Sequence, residues 1–86
     1  MFCVYILYSP GSGKTYTGFT NDVDRRLTEH NFTEIAGFTL LYRPWVLIHK
    51  EFFETKVEAM QQEKFLKSGQ GRELVKEIVQ KYLNNH

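Results

Sequence analysis

The sequence has little cysteine, little proline and almost no net charge. Of 86 residues, one is cysteine (Cys3) and two are proline. A single thiol excludes an internal disulfide and a cysteine-based zinc site. It fits an intracellular, cytoplasmic protein. Eleven basic residues face ten acidic ones, for a formal charge of +1. The marked basic excess of a dedicated nucleic-acid binder is therefore missing. Any contact with phosphate must come from local clusters such as Arg25-Arg26, or Lys64, Lys67 and Arg72. A solvated surface explains such charges equally well. No stretch of 18 apolar residues is present, so no membrane span is expected. The N-terminus lacks the basic region, clean apolar stretch and cleavage site of a signal peptide. Nothing repeats and no segment is of low complexity, which leaves one small domain over 1–86 with a small core. Hydrophobic residues make up 42% and charged residues 24%, an ordinary globular balance.

What is present begins with a misleading phrase. Gly13-Lys14-Thr15 matches the end of a phosphate-binding loop, G-x-x-x-x-G-K-[ST]. The leading glycine of that pattern would fall on Tyr8. A helix should also start near Lys14, so that its N-terminus faces the phosphates. Instead Thr15-Tyr16-Thr17-Gly18-Phe19-Thr20 is rich in strand-forming residues. With the apolar run 2–8 before it, the segment predicts a β-hairpin, with Lys14 exposed near its tip.

Further along, Asn21 or Asp22 is a candidate N-cap for a short helix that presents Val23 and Leu27 on one face. Positions 32–42 read as a connecting loop, and Arg43-Pro44 ends any helix. A third strand covers 45–53. Thr55-Lys56-Val57-Glu58 fits a capping box for a second helix that ends at Gly69. Gln70-Gly71 links it to a last helix over about 72–83, with Leu74, Ile78 and Tyr82 four apart. The order β-β-α-β-α-α predicts an α+β fold: a three-stranded antiparallel sheet flanked by helices.

Three polar placements are unusual. At 100° per residue, Glu63 falls within about 60° of Ala59 and Leu66, on an apolar stripe. A carboxylate there needs a cation, hydrogen bonds or a cleft. It is either a ligand for a hard cation such as Mg²⁺ or an edge residue that reaches water or a lysine. Arg26 and His30 share one helix face and suit either phosphate contact and proton exchange or a solvated surface. Tyr5 lies within an apolar strand. Tyr16 and Gly18 share one face of the next strand, opposite Thr17. Each tyrosine is either a packed residue with a satisfied hydroxyl or a group that positions water or relays a proton.

Together these residues resemble the GIY-YIG nuclease superfamily. Its two signature triplets correspond to Cys3-Val4-Tyr5, with Cys3 in place of the leading glycine, and Tyr16-Thr17-Gly18. Its arginine corresponds to Arg26, a histidine one turn later to His30, and its metal-binding glutamate to Glu63. The run 16–31 carries the most specific likeness. Arg43-Pro44-Trp45 and the 58–64 segment are similar to the small stand-alone bacterial members of the UPF0213 type. The resemblance implies an endonuclease that hydrolyses phosphodiester bonds in DNA or another nucleic acid, with one divalent ion, Mg²⁺ or Mn²⁺, on Glu63. Arg26 would clamp the phosphate, Tyr5 or Tyr16 would align or deprotonate water, and His30 would assist. Lys14, Arg25 and Lys67 are candidate nucleic-acid contacts. The alternative is a weakly catalytic binding module that keeps the fold and relies on a partner protein or a second copy. The nuclease assignment expects Tyr5, Tyr16, Arg26, His30 and Glu63 to converge on one concave face.

Overall fold

The computed structural model describes residues 1–33 and 37–85. A three-stranded antiparallel sheet runs in the order β2-β1-β3. It is built from β1 (Phe2–Tyr8), β2 (Thr15–Thr20) and β3 (Val46–Phe53). The central strand is buried from Cys3 to Tyr8. Layers on both faces cover it, which is why it reads as an unbroken apolar run and not as an alternating one. Val4 and Ile6 pack with Ala59, Leu66 and Val75 on one face. Cys3, Tyr5 and Leu7 pack with Trp45 on the other.

The hairpin forms as expected. Ser9 N–H donates to the Lys14 carbonyl at 2.9 Å, and Gly13 N–H to the Ser9 carbonyl at 2.8 Å. Gly13 takes a φ of 75°, where a side chain would be strained. Lys14 and Thr15 lead into a strand and not a helix, so no phosphate-binding loop exists here.

Asp22 caps α1 (Val23–Thr28) by accepting from the Arg25 N–H. The chain then widens into a π-helical turn at Glu29–Thr33. Part of the segment expected to be loop is helical: α2 spans Phe38–Leu41. Positions 34–36 of that expected loop lie outside the described residues.

The Thr55–Glu58 capping box opens α3 (Lys56–Lys67) as the sequence indicates. The last helix differs from expectation. Ser68 caps α4 (Gly69–Asn84), so Gln70-Gly71 is its first turn and not a linker. A Cβ on Gly71 would stand 1.8 Å from the Phe65 carbonyl oxygen. Glycine here serves close helix–helix approach, which outweighs its poor helix propensity. The buried face of α4 follows Gly71 and Val75, with Ile78 and Val79 packed behind. Leu74 is turned outward.

Candidate functional site

The face opposite α3 holds a cluster of rings. Tyr5 sits directly across from Gly18 in the β1–β2 ladder. Its ring lies over the glycine: a Cβ at Gly18 would be 2.6 Å from the Tyr5 hydroxyl oxygen and 2.8 Å from Cζ. The Tyr5 hydroxyl meets His30 Nε2 at 2.9 Å. Tyr16 stacks beside both, with ring centroids 6.2 Å from Tyr5 and 4.7 Å from His30. Trp45 adds an edge contact to Tyr16 at 6.4 Å.

The two tyrosines are not equivalent. Tyr5 and His30 are each only 1% exposed, so their contact is sealed from bulk water. Tyr16 is half-buried, and its hydroxyl has no hydrogen-bond partner among the described residues. Its ring is fixed by packing on three sides while its oxygen stays available.

A clamp from the segment before β3 holds His30 in place. Asn31 and Trp45 exchange two hydrogen bonds: Asn31 Nδ2 donates to the Trp45 carbonyl at 3.0 Å, and Trp45 N–H donates to Asn31 Oδ1 at 2.7 Å. Arg43 Nε donates to the His30 carbonyl at 2.6 Å. The Trp45 indole N–H reaches the Thr39 carbonyl at 2.8 Å, tying α2 into the same layer. The Arg43 bond engages a carbonyl of the wide turn, and the Asn31 bonds engage the Trp45 backbone. Asn31 and Arg43 carry no site expectation from sequence. Only the run Arg43-Pro44-Trp45, singled out above, signals the clamp.

Arg26 extends from α1 and pairs with Glu29 at 2.9 Å. Arg25 approaches the same carboxylate at 3.7 Å. Both arginines border a depression of about 470 Å³ with Phe19, Thr20 and Lys56. Lys14 lies 5.7 Å from the Tyr42 ring centroid, on the hairpin tip.

Glu63 belongs to α3, which packs on the Val4–Ile6 face, whereas Tyr5, Tyr16 and His30 cluster on the other. The rotation of α3 decides what remains possible. Gln62 donates to Glu51 of β3 at 3.3 Å, so that side of the helix looks toward β3. Glu63 is turned about 100° further round the helix, toward β2. Because β2 is an edge strand, groups from both faces can approach each other around it. Tyr16 and Arg26 come from one side, and Glu63 and Lys67 from the other.

The Glu63 side chain retains 21% exposure, and its partner among the described residues is Lys67 at 3.7 Å. No group of three or more histidine, cysteine, aspartate or glutamate residues clusters among the described residues. A lone, partly hydrated carboxylate does not suit a cation that needs a full protein cage. It does suit Mg²⁺, which is held by one or two carboxylates, substrate phosphate and retained water. Cys3 takes no part in this chemistry. Burial raises its thiol pKa above the ordinary 9.0, only partly offset by a backbone hydrogen bond from Glu51 and the Lys50 charge.

Comparison with known proteins finds clear relatives. Residues 1–76 match the model of the GIY-YIG catalytic domain. A UPF0213 protein of Halobacterium salinarum is 43% identical over 63 residues, covering 73% of this chain and 80% of that one. A UPF0213 protein of Bacillus velezensis is 52% identical over 48 residues, or 56% of this chain and 48% of the relative. The solution NMR structure of a UPF0213 protein from Bacillus halodurans superposes with a TM-score of 0.52 at 33% identity. That match covers 91% of this chain and 85% of the other.

Proposed function

The chain belongs to the GIY-YIG catalytic-domain family, a family of nucleases that generally use a divalent metal ion. From that premise we propose that it is a metal-dependent endonuclease hydrolysing phosphodiester bonds in DNA. The observation that carries the proposal is the Tyr16 hydroxyl, fixed by three rings and without a partner among the described residues, on an edge strand.

In this reading Tyr16 orients the attacking water, because its oxygen is the accessible one. Its part is to hold and aim the nucleophile through that hydroxyl. Tyr5 and His30 form the buried wall behind it. Their hydroxyl–imidazole contact can shift a proton by one hydrogen-bond length without admitting water. Arg26 exchanges Glu29 for the non-bridging oxygens of the phosphate, where its donors meet the charge that develops in the transition state. Glu63, now paired with Lys67, would hold the metal ion. When bound, Mg²⁺ or Mn²⁺ supplies Lewis-acid stabilisation to the leaving oxygen. Lys67, Lys14 and Arg25 contact phosphates on either side.

A second reading is favoured by the same ion pairs. Arg26 and Glu63 are both neutralised within the protein, and the net charge is +1. A binding module that needs a partner would look the same at rest. Plasmid nicking with Mg²⁺ or Mn²⁺, set against DNA binding in chelator, separates the two. Nicking by wild type but not by Tyr16→Phe supports the enzyme. Binding without metal-dependent nicking overturns it.

A further inference from the structure

A second concavity has no role in the steps above beyond the residues at its mouth. It is a groove of about 730 Å³ between β2 and the α3–α4 pair. Leu66, Val75 and Val79 form an apolar floor, and no carboxylate lines the groove among the described residues. Lys67, Arg72 and Lys76 stand around it. Lys67 and Lys76 are partly offset by Glu63 and Glu73. The Arg72 guanidinium has no ion pair or hydrogen bond among the described residues.

Apolar floor and cationic rim together define an occupant. A free phosphate would satisfy the rim and leave the floor wet. A paired duplex would set its phosphates on the rim while its bases stayed stacked away from the floor. What satisfies both is a flat, weakly polar body carried on an anionic chain. The volume lies within the range of pockets that take small organic groups. Tyr16 and Lys67 belong both to this groove and to the β2 edge described above, so the groove opens beside the proposed cleavage site.

We propose that this groove is a nucleobase subsite, which takes the base of one unstacked nucleotide adjacent to the scissile phosphate. The base lies on Leu66, Val75 and Val79, and the neighbouring phosphates meet Lys67, Arg72 and Lys76. Thr15 and Gln80, at the groove wall, offer hydrogen-bonding groups to the base edge. The inference rests on the nuclease proposal for the identity of the chain that delivers the base.

The test measures binding without catalysis. A 5′-phosphorylated tetrathymidylate and its analogue lacking all four bases are titrated in chelator and followed by ¹⁵N–¹H NMR. The expected result is shifts at the amides of Thr15, Thr17, Leu66 and Val75, with the abasic strand binding about tenfold more weakly, the low end for burying a base. Val79→Phe, which fills the floor, should erase the difference between the two strands. Arg72→Gln should weaken both and lower the slope of log K against log salt by about 0.7. Equal affinity of wild type for the two strands overturns the proposal, as do shifts confined to other surfaces; neither outcome depends on a variant. A blunt duplex of matching sequence identifies the source of the base. Groove shifts from the duplex assign it to a flipped-out nucleotide; shifts from the single strand alone assign it to an unpaired one. Metal-dependent nicking is measured in parallel. Nicking with equal strand affinities defeats the subsite and spares the nuclease; base-dependent binding without nicking does the reverse.

Discussion

The two faces of the sheet are held by different physics. The face under α3 and α4 is mainly aliphatic: Val4, Ile6, Ala59, Leu66 and Val75 form its core, with the buried Thr17 across from Ile6. The opposite face is aromatic and directional. Tyr5, His30, Asn31, Arg43 and Trp45 are fixed by hydrogen bonds of 2.6–3.0 Å. Apolar contacts are forgiving of small shifts, while hydrogen bonds have a narrow range of distance and angle. A chain this small can thus place most of its stability on one face and most of its positional precision on the other. Glu63 is the exception, a chemical group carried on the stabilising layer.

That division can be broken most forcefully at Leu66. Leu66→Ala should cost about 2–5 kcal/mol by urea denaturation, a large part of the stability of a domain this size, without altering the ring geometry in whatever fraction stays folded. The exception at Glu63 is tested next. Glu63→Gln and Arg26→Ala should each slow metal-dependent nicking by roughly 10²–10³-fold, while thermal melting stays at the wild-type temperature. Nicking by Glu63→Gln at the wild-type rate would remove the metal role, and unfolding of both variants would make the residues structural.

A finer comparison removes little from each face. Tyr5→Phe deletes one oxygen and its hydrogen bond to the buried His30 imidazole, at a cost of about 1–3 kcal/mol. Ile6→Val deletes one methylene from the aliphatic face, for about 0.5–1.5 kcal/mol. If denaturation ranked these two in reverse, the directional face would not be the less tolerant one. The smallest effect concerns Cys3. Burial raises its pKa in the folded state, so the contribution of the protonated thiol is complete below 9.0 and fades as pH climbs through the raised value. Melting temperatures between about pH 8 and 10.5 should fall less steeply in Cys3→Ala than in wild type.

Local signals were legible in the sequence and long-range ones were not. The caps at Asp22 and Thr55, the hairpin and the phase of β2 each depend on neighbours within a few positions. All of them appear in the structure. The π-helical turn depends on Asn31 meeting Trp45, 14 positions away, and no periodicity announces it. The start of α4 is hidden in the sequence because Gly69 and Gly71 are poor helix formers. The reason for Gly71 is close contact with α3, which is tertiary. The stripe on α3 identified Glu63 as unusual but not which sheet face the helix would cover. The tyrosines, Arg26, His30 and Glu63 were selected by residue type and by resemblance, and their joint action stands as the proposal made above.

The close seat of Tyr5 over Gly18 makes the two signature triplets a single mechanical part. An alanine at 18 would meet the Tyr5 ring at Cζ as well as at the hydroxyl, so trimming the hydroxyl alone gives it no room. Only a smaller side chain at 5 would, and that discards the ring. Effects at the two positions therefore cannot add. A substitution at residue 18, which carries no functional group of its own, is in effect a substitution at residue 5, and its consequences reach His30 through the displaced ring.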